Sequence, residues 1–357
     1  MSIMVGIDMH VKELVCEIGY GTEEPKRVRY ANTYEGHMEL LKTIGKLKES
    51  TGREDVLVCY EASGLGYVLY DRIEKAGYRC EVLAPTEMQR SASGFKRKSD
   101  AKDAHYIYET IRGHVLAGNR LCHIWVADRQ LRDDREVMRL RYDITQQITR
   151  VKIQIRTLLR KNGIKSNDGQ RSWTKQFCQW LLSITEVQGS GFGFTMETLL
   201  ERLRFLETQQ ARADRKIKQL SEQPRYRESY RRLIGIYGVG MITAMSFLTE
   251  LGDLSRFPNR RALGAYLGLV PASYESGETS DRKGRITRQG PYRVRGILNQ
   301  ALWMHLRYNG ELKGVYERIV ERNPRHKKKA VVACMRRLAI LMWHTAQEGE
   351  ERERQVA

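Results

Sequence analysis

Short apolar runs dominate the first third of the chain, and their length marks them as strands. Residues 2 to 10 and 56 to 61 are nearly unbroken apolar segments, and further runs of strand length lie near 13–20, 26–32, 80–84 and 122–126. Between them, near 34–50, 65–76, 85–92 and 100–117, apolar positions recur at threes and fours, the spacing of helices with one buried face. This alternation predicts an α/β domain built on a mixed sheet.

From Asp128 to about Lys161 the period becomes wholly helical, with Leu131, Val137, Leu140, Ile144, Ile148, Val151, Ile155 and Leu158 on one stripe. A second long helix is expected from about Thr195 to Gln223, carrying Leu199, Leu203, Leu206, Ile217 and Leu220 and ended by Pro224. Its charged faces suit an antiparallel or coiled-coil partner, in the same subunit or another, and equally an ordinary bundle connection. Between the two, Gly163, Asn167-Asp-Gly-Gln170 and Gly189-Ser-Gly-Phe-Gly193 break the pattern around a short apolar helix near 173–184. The expected class is therefore α/β plus α. Its divisions are 1–160, a helical or coiled-coil region 161–225, a mostly helical segment 226–347 and a charged tail 348–357.

Against that pattern, a few acids stand out. Asp8 sits inside an apolar strand, where a carboxylate is costly unless paired or metal-bound. Glu61 ends a second such strand, just before the loop signal Ala-Ser-Gly-Leu-Gly. Asp100 and Asp103 follow Ser99, a good helix N-cap, and their spacing of three puts both on one helical face. Four carboxylates from two strand ends and one helix form a hard-oxygen ligand set for one or two Mg²⁺ ions, held at roughly 2.0–2.1 Å and able to clamp a phosphodiester. The plainer reading of Asp100 and Asp103 is two first-turn acids facing the helix macrodipole.

Charge points to the same partner class. A net charge of +19, from 62 Lys and Arg against 43 Asp and Glu, is the electrostatic footprint of a nucleic-acid binder. An anionic membrane is the competing partner, but no apolar stretch of about 18 residues and no signal-peptide pattern occurs, so a soluble, cytosolic protein is expected. Cys16, Cys59, Cys80, Cys122, Cys178 and Cys334 include no C-x-x-C pair, which argues against structural zinc and fits reduced thiols.

In the last third, a helix, a tight turn at Gly238-Val-Gly240 and a second helix suggest a helix-hairpin-helix, whose backbone N–H groups can hold a DNA phosphate. A plain helix–helix turn explains the same glycines. Ser276 precedes Gly277 on a loop and is followed by Arg282, Lys283, Arg285, Arg288, Arg293 and Arg295, a stretch suited to phosphate. Taken alone, a loop serine is more often a turn former than a nucleophile. Other cationic stretches lie around 225–232 and 325–337.

The order Gly6-Ile-Asp8, Tyr60-Glu61-Ala62, Lys98-Ser-Asp100-Ala-Lys-Asp103-Ala104, Gly238-Val-Gly240, Tyr266-Leu-Gly-Leu-Val-Pro271 and Ser276-Gly277 resembles the IS110 family of insertion-sequence transposases, the bridge-RNA-guided recombinases. The resemblance spans nearly the whole chain. It implies an N-terminal RuvC-like domain of RNase H fold, a helical coiled-coil region, and a C-terminal transposase domain bearing a serine nucleophile. Asp8, Glu61, Asp100 and Asp103 match the family's acidic quartet, and Ser276 its serine, with Ser273 as competitor. The segment Pro271-Ala-Ser-Tyr-Glu-Ser-Gly277 departs from the commoner family wording. Donor and target duplex DNA, a noncoding bridge RNA that selects them by base pairing, and a homo-oligomer, dimer assembling to tetramer, are the implied partners. The alternative is a metal-dependent, RuvC-like junction-resolving endonuclease that uses water as nucleophile. A non-catalytic nucleic-acid-binding protein is a third class, disfavoured by the intact acids.

Overall fold

Strand β1 (Ile3–Met9) lies in the interior of a six-stranded sheet ordered β3-β2-β1-β4-β5-β6, with β2 (Glu13–Tyr20), β3 (Lys26–Ala31), β4 (Val56–Glu61), β5 (Arg79–Leu83) and β6 (His123–Ile124). β1, β4 and β5 run parallel, while β2, β3 and β6 pair antiparallel to their neighbours. The sheet is thus mixed, as the alternation of elements predicts. The computed structural model describes residues 2–85, 100–165, 173–187, 189–273, 283–308 and 310–356. The helix expected near 85–92 lies outside them.

β1 and β4 are apolar up to their carboxyl ends, where Asp8 and Glu61 stand, because both their faces are covered. On one face Ile3, Val5 and Ile7 join Val56, Val58 and Tyr60 under α1 (Tyr34–Thr51) and α2 (Val68–Lys75), through Leu40, Ile44, Leu69 and Ile73. On the other, Met4, Leu57, Cys59 and Leu83 pack against Ile107, Tyr108 and Ile111 of α3 (Asp100–Ala117). Side chains alternate along a strand, so Gly6 and Asp8 fall on the α3 face with Met4, and Glu61 falls there with Leu57 and Cys59. Thr33 starts α1 by accepting a hydrogen bond from Gly36 N, and Gly52 at φ 64° ends it.

The chain divides into two units, Met1–Ala127 and Asp128–Ala357. In the second, Asp128 caps α4 (Arg129–Lys161) by accepting from Leu131 N at 2.8 Å. α6 (Ser190–Ser221) runs antiparallel to α4: Arg141 meets Asp214, Thr145 meets Gln210 and Lys152 meets Glu207, residue numbers rising on one helix as they fall on the other. The apolar stripe of α6 is therefore covered within the chain. Ile144, Ile148, Val151 and Ile155 pack against Leu200, Leu203 and Leu206, with Phe177 and Leu181 of α5 (Lys175–Val187) closing the layer. The stripe of α4 departs from the expected one in its first turns. Leu140 is 58% exposed, whereas Asp134 is buried and accepts the Tyr226 hydroxyl at 2.7 Å.

The remaining described elements are α7 (Pro224–Leu233), α8 (Met241–Leu251), α9 (Arg260–Tyr266), a hairpin of β7 (Pro271–Ser273) and β8 (Lys283–Ile286), α10 (Tyr292–Arg307), α11 (Lys313–Arg322) and α12 (Lys327–Val356), with single 3-10 turns at Leu254–Arg256 and Pro324–His326. Arg135 on α4 donates to the carbonyls of Thr249 and Glu250 at 2.7 and 2.8 Å, satisfying the open C-terminal end of α8. Ser229 of α7 donates to Ala346 O of α12 at 2.8 Å. No helix among the described residues is long and apolar enough to cross a membrane.

Candidate functional site

Asp8 and Glu61 end neighbouring parallel strands. The pairing Ile7↔Tyr60 is the last step of the register, so the two acids emerge side by side at the carboxyl ends of β1 and β4. Open α/β sheets offer ligand sites at such strand ends. Asp8 keeps 14% of its side-chain surface and accepts a hydrogen bond from His10 Nε2 at 3.0 Å.

Asp103 heads the third side of the site. It lies in the first turn of α3, on the stripe that continues through Ala104, Ile107 and Ile111 onto the sheet. Asp100 begins the same helix three residues earlier, and its side chain lies outside the described residues. Among the described residues no three His, Cys, Asp or Glu side chains close around one point. What the site offers is a donor set of hard carboxylates on one face, the chemistry suited to Mg²⁺. Cys59 sits two residues before Glu61 on that face, but burial, with the charge of Glu81, pushes its thiol far up, so no thiolate competes.

Two features to which the sequence reading gave no packing role hold α3 in place. Gly6 brings the helix onto β1: a Cβ there would stand 2.6 Å from Tyr108 N and 3.0 Å from Ala104 O. Glu17 on β2 is buried at 2% exposure and is bonded from both sides, by Arg27 Nε at 3.0 Å and by His105 Nδ1 of α3 at 2.8 Å. It could have been found by the reasoning that singled out Asp8, since it too is an acid inside an apolar strand. Its cross-strand neighbour is Arg27.

In the second unit, Gly238 and Gly240 part company. Gly238 has φ 83°, and a Cβ would stand 2.5 Å from Ala301 O and 2.6 Å from His305 N, so it serves close packing against α10. Gly240 N-caps α8 and faces open space. Ser276 and Arg282 lie outside the described residues, as do the side chains of Ser273 and Lys283. Around them, β7 and β8 pair Pro271 with Ile286 and Ser273 with Lys283, so the segment containing Ser276 connects two paired strands.

The expected phosphate-binding arginines also differ in setting. Arg285 and Arg288 are exposed. Arg293 pairs with Asp143 at 3.3 Å and lies over the rings of Tyr142 and Tyr292. Arg295 donates to the carbonyls of Leu267, Arg288, Gln289 and Gly290 at 2.7–3.3 Å. That staple closes a backbone crossing at the base of the hairpin. Cβ atoms at Gly268 and Gly290 would come within 2.2 Å of Gln289 O and 1.9 Å of Tyr266 O.

Comparison with known proteins bears on both units. The DEDD transposase model of the IS110 group matches residues 5–163, and the model described as the transposase IS116/IS110/IS902 family matches residues 230–317. The protein y4qE of Sinorhizobium fredii, ascribed to the transposases, is 29% identical, with 85% of this chain and 79% of that protein covered. The transposase for insertion sequence element IS1533 of Leptospira borgpetersenii is 26% identical over 85% of each chain. That for IS1111A of Coxiella burnetii is 25% identical over 90% of this chain and 84% of its own. A T. thermophilus RuvC structure with a Holliday junction substrate aligns with 34% of this chain at 12% identity and a TM-score of 0.27, too slight a likeness to establish a shared fold. With one family model on the segment that carries the carboxylates and the other on the segment that begins before the hairpin, the chain belongs to the IS110/IS116 family of insertion-sequence transposases.

Proposed function

We propose that this transposase cuts and rejoins donor and target DNA through a phosphoserine link made by Ser276, with Asp8, Glu61, Asp100 and Asp103 as the ligands of one or two Mg²⁺ ions. The observation that carries the nuclease half is the emergence of Asp8 and Glu61 from adjacent strand ends on the face headed by Asp103. The strand order and directions of β1 to β5 are in keeping with an RNase H fold. When bound, Mg²⁺ neutralises phosphate oxygens and lowers the barrier to their displacement. The chain supplies rigid carboxylates on two strands and a helix.

The serine half rests on family resemblance and on the paired strands that flank residue 276. Ser276 Oγ loses its proton and bonds to a DNA phosphorus, and the 3′ oxygen leaves and takes up a proton. The 5′ phosphate is then held on serine. A 3′ hydroxyl of another strand reverses the step, forming the new phosphodiester and restoring the serine hydroxyl, so no ATP is consumed. In this reading a noncoding bridge RNA pairs with donor and target, and the protein acts as a homo-oligomer, a dimer that assembles to a tetramer.

The test is recovery of the tagged protein, expressed with its flanking DNA, under denaturing conditions. DNA should stay covalently attached to wild type and to Ser273→Ala, and be absent from Ser276→Ala and Asp8→Ala. Metal-dependent cleavage without any adduct would instead indicate water as the nucleophile.

A further inference from the structure

An open groove of about 2130 Å³ runs along the base of the β7–β8 hairpin, with Pro271 and Ile286 in its lining. One wall carries Arg285 and Arg288 of the hairpin. The other is the start of α12, where Lys327, Lys328 and Lys329 are followed by Arg336 and Arg337. No acid is among the described residues that line it. None of these seven cations makes an ion pair with a described residue.

Such an arrangement is costly without a ligand. Like charges repel across the groove, and three lysines stand in the first turn of a helix, where the backbone dipole favours acids. Arg288 adopts φ 57°, a left-handed conformation that residues with a Cβ avoid, and Arg295 holds its carbonyl at 2.8 Å. Arg336 reaches over α9 at Gly264, where a Cβ would stand 2.8 Å from its Nε.

The geometry points to a binding site for the sugar–phosphate backbone of duplex DNA. Small-molecule pockets measure about 300–1,000 Å³. This groove is larger and cationic, which suits a polymeric anion. Flexible lysines follow a phosphate backbone without reading bases. Recognition of single-stranded or looped RNA relies on rings on which unpaired bases stack, and His326 is the one aromatic ring among the described lining residues, with no Phe, Tyr or Trp beside it. The choice of DNA also rests on the serine reading above, because the strand attacked by Ser276 must pass this hairpin.

The experiment measures binding of a 30-base-pair DNA duplex of random sequence and of an RNA hairpin as a function of salt, in EDTA so that no chemistry intervenes. In Lys327→Ala/Lys328→Ala/Lys329→Ala the duplex should bind at least tenfold more weakly. Its salt slope should fall in magnitude by roughly 2–3, about 0.9 for each phosphate that the variant no longer neutralises. Arg337→Gln, which leaves the helix start untouched, should reduce the slope by about 1. RNA affinity, which draws on the same charge term, should fall by a smaller factor than duplex affinity in both. Unchanged duplex binding, or a loss confined to RNA, overturns the proposal. Ser276→Ala should bind the duplex as wild type does. If wild type forms no covalent adduct while the lysine and arginine variants still show these losses, the serine reading is refuted and the groove stands.

Discussion

Tyr108 crosses directly over Gly6: a Cβ at residue 6 would stand 2.6 Å from Tyr108 N and 2.8 Å from its Cα. Backbone cannot swing aside as a side chain can, so any larger residue forces α3 off β1. Asp103 rides on that helix, one turn from the contact, while Asp8 lies next to last in that strand. Gly6→Ala should therefore lower stability by about 1–3 kcal/mol, the usual cost of overpacking, and should abolish metal-dependent cleavage even where the protein still folds. Gly64→Ala, with nothing within 4 Å of the new methyl, is the control. Equal urea midpoints for the two variants would show that the close approach is not needed.

If the carboxylates hold Mg²⁺, the ion binds the folded chain and not the unfolded one. Wild type should then unfold at higher temperature as Mg²⁺ is raised, gaining about 2.7 kcal/mol at a hundredfold excess over the dissociation constant. Asp8→Asn and Glu61→Gln remove charged oxygen ligands with little change of shape and should lose most of that gain. A magnesium-dependent rise that persists in both would place the ion elsewhere.

Much of this arrangement was legible in the sequence because it depends on local pattern. Strands buried on both faces read as unbroken apolar runs, so β1 and β4 were visible and Asp8 and Glu61 conspicuous within them. Spacing along α3 gave Asp103 its face. What escaped depends on contacts between distant segments. Glu17 carries no sign of the His105 bond that reaches it across 88 residues. Nothing in the run from Arg282 to Arg295 distinguishes exposed Arg288 from Arg295, whose guanidinium is spent on four carbonyls. The β7–β8 hairpin has strands of three and four residues, too short for any period to register.

Acid should weaken the first unit through His37. The ring is buried, its Nδ1 accepts from Arg72 Nη1 at 2.6 Å, and its Nε2 donates to Asn32 Oδ1 at 2.7 Å. Burial first, and the Arg72 charge second, depress its pKa to about 4. The unfolded chain takes up a proton near pH 6.5, the folded chain only near pH 4. Stability contributed by the neutral ring is thus full above pH 6.5, falls as pH drops towards 4, and changes no further below it, by on the order of 2–3 kcal/mol in total. Urea midpoints measured between pH 7 and 4 should fall less steeply in His37→Gln. Parallel curves would rule this histidine out as the source.

The lysines at the head of α12 are expected to oppose folding. Each cation in a first helical turn faces the positive end of the backbone dipole, at about 0.3–1 kcal/mol apiece, and Lys327, Lys328 and Lys329 have no acid beside them in that turn. Alanine is at least as good a helix former. The triple alanine variant should therefore be more stable than wild type by roughly 1–2 kcal/mol at low salt, with the gap narrowing as salt screens the repulsion. Thermal unfolding at two ionic strengths would show it, and a variant no more stable than wild type would mean that the three charges are already neutralised in the free protein. A chain that gains stability on losing these lysines, and loses DNA with them, keeps them for the ligand and against its own fold.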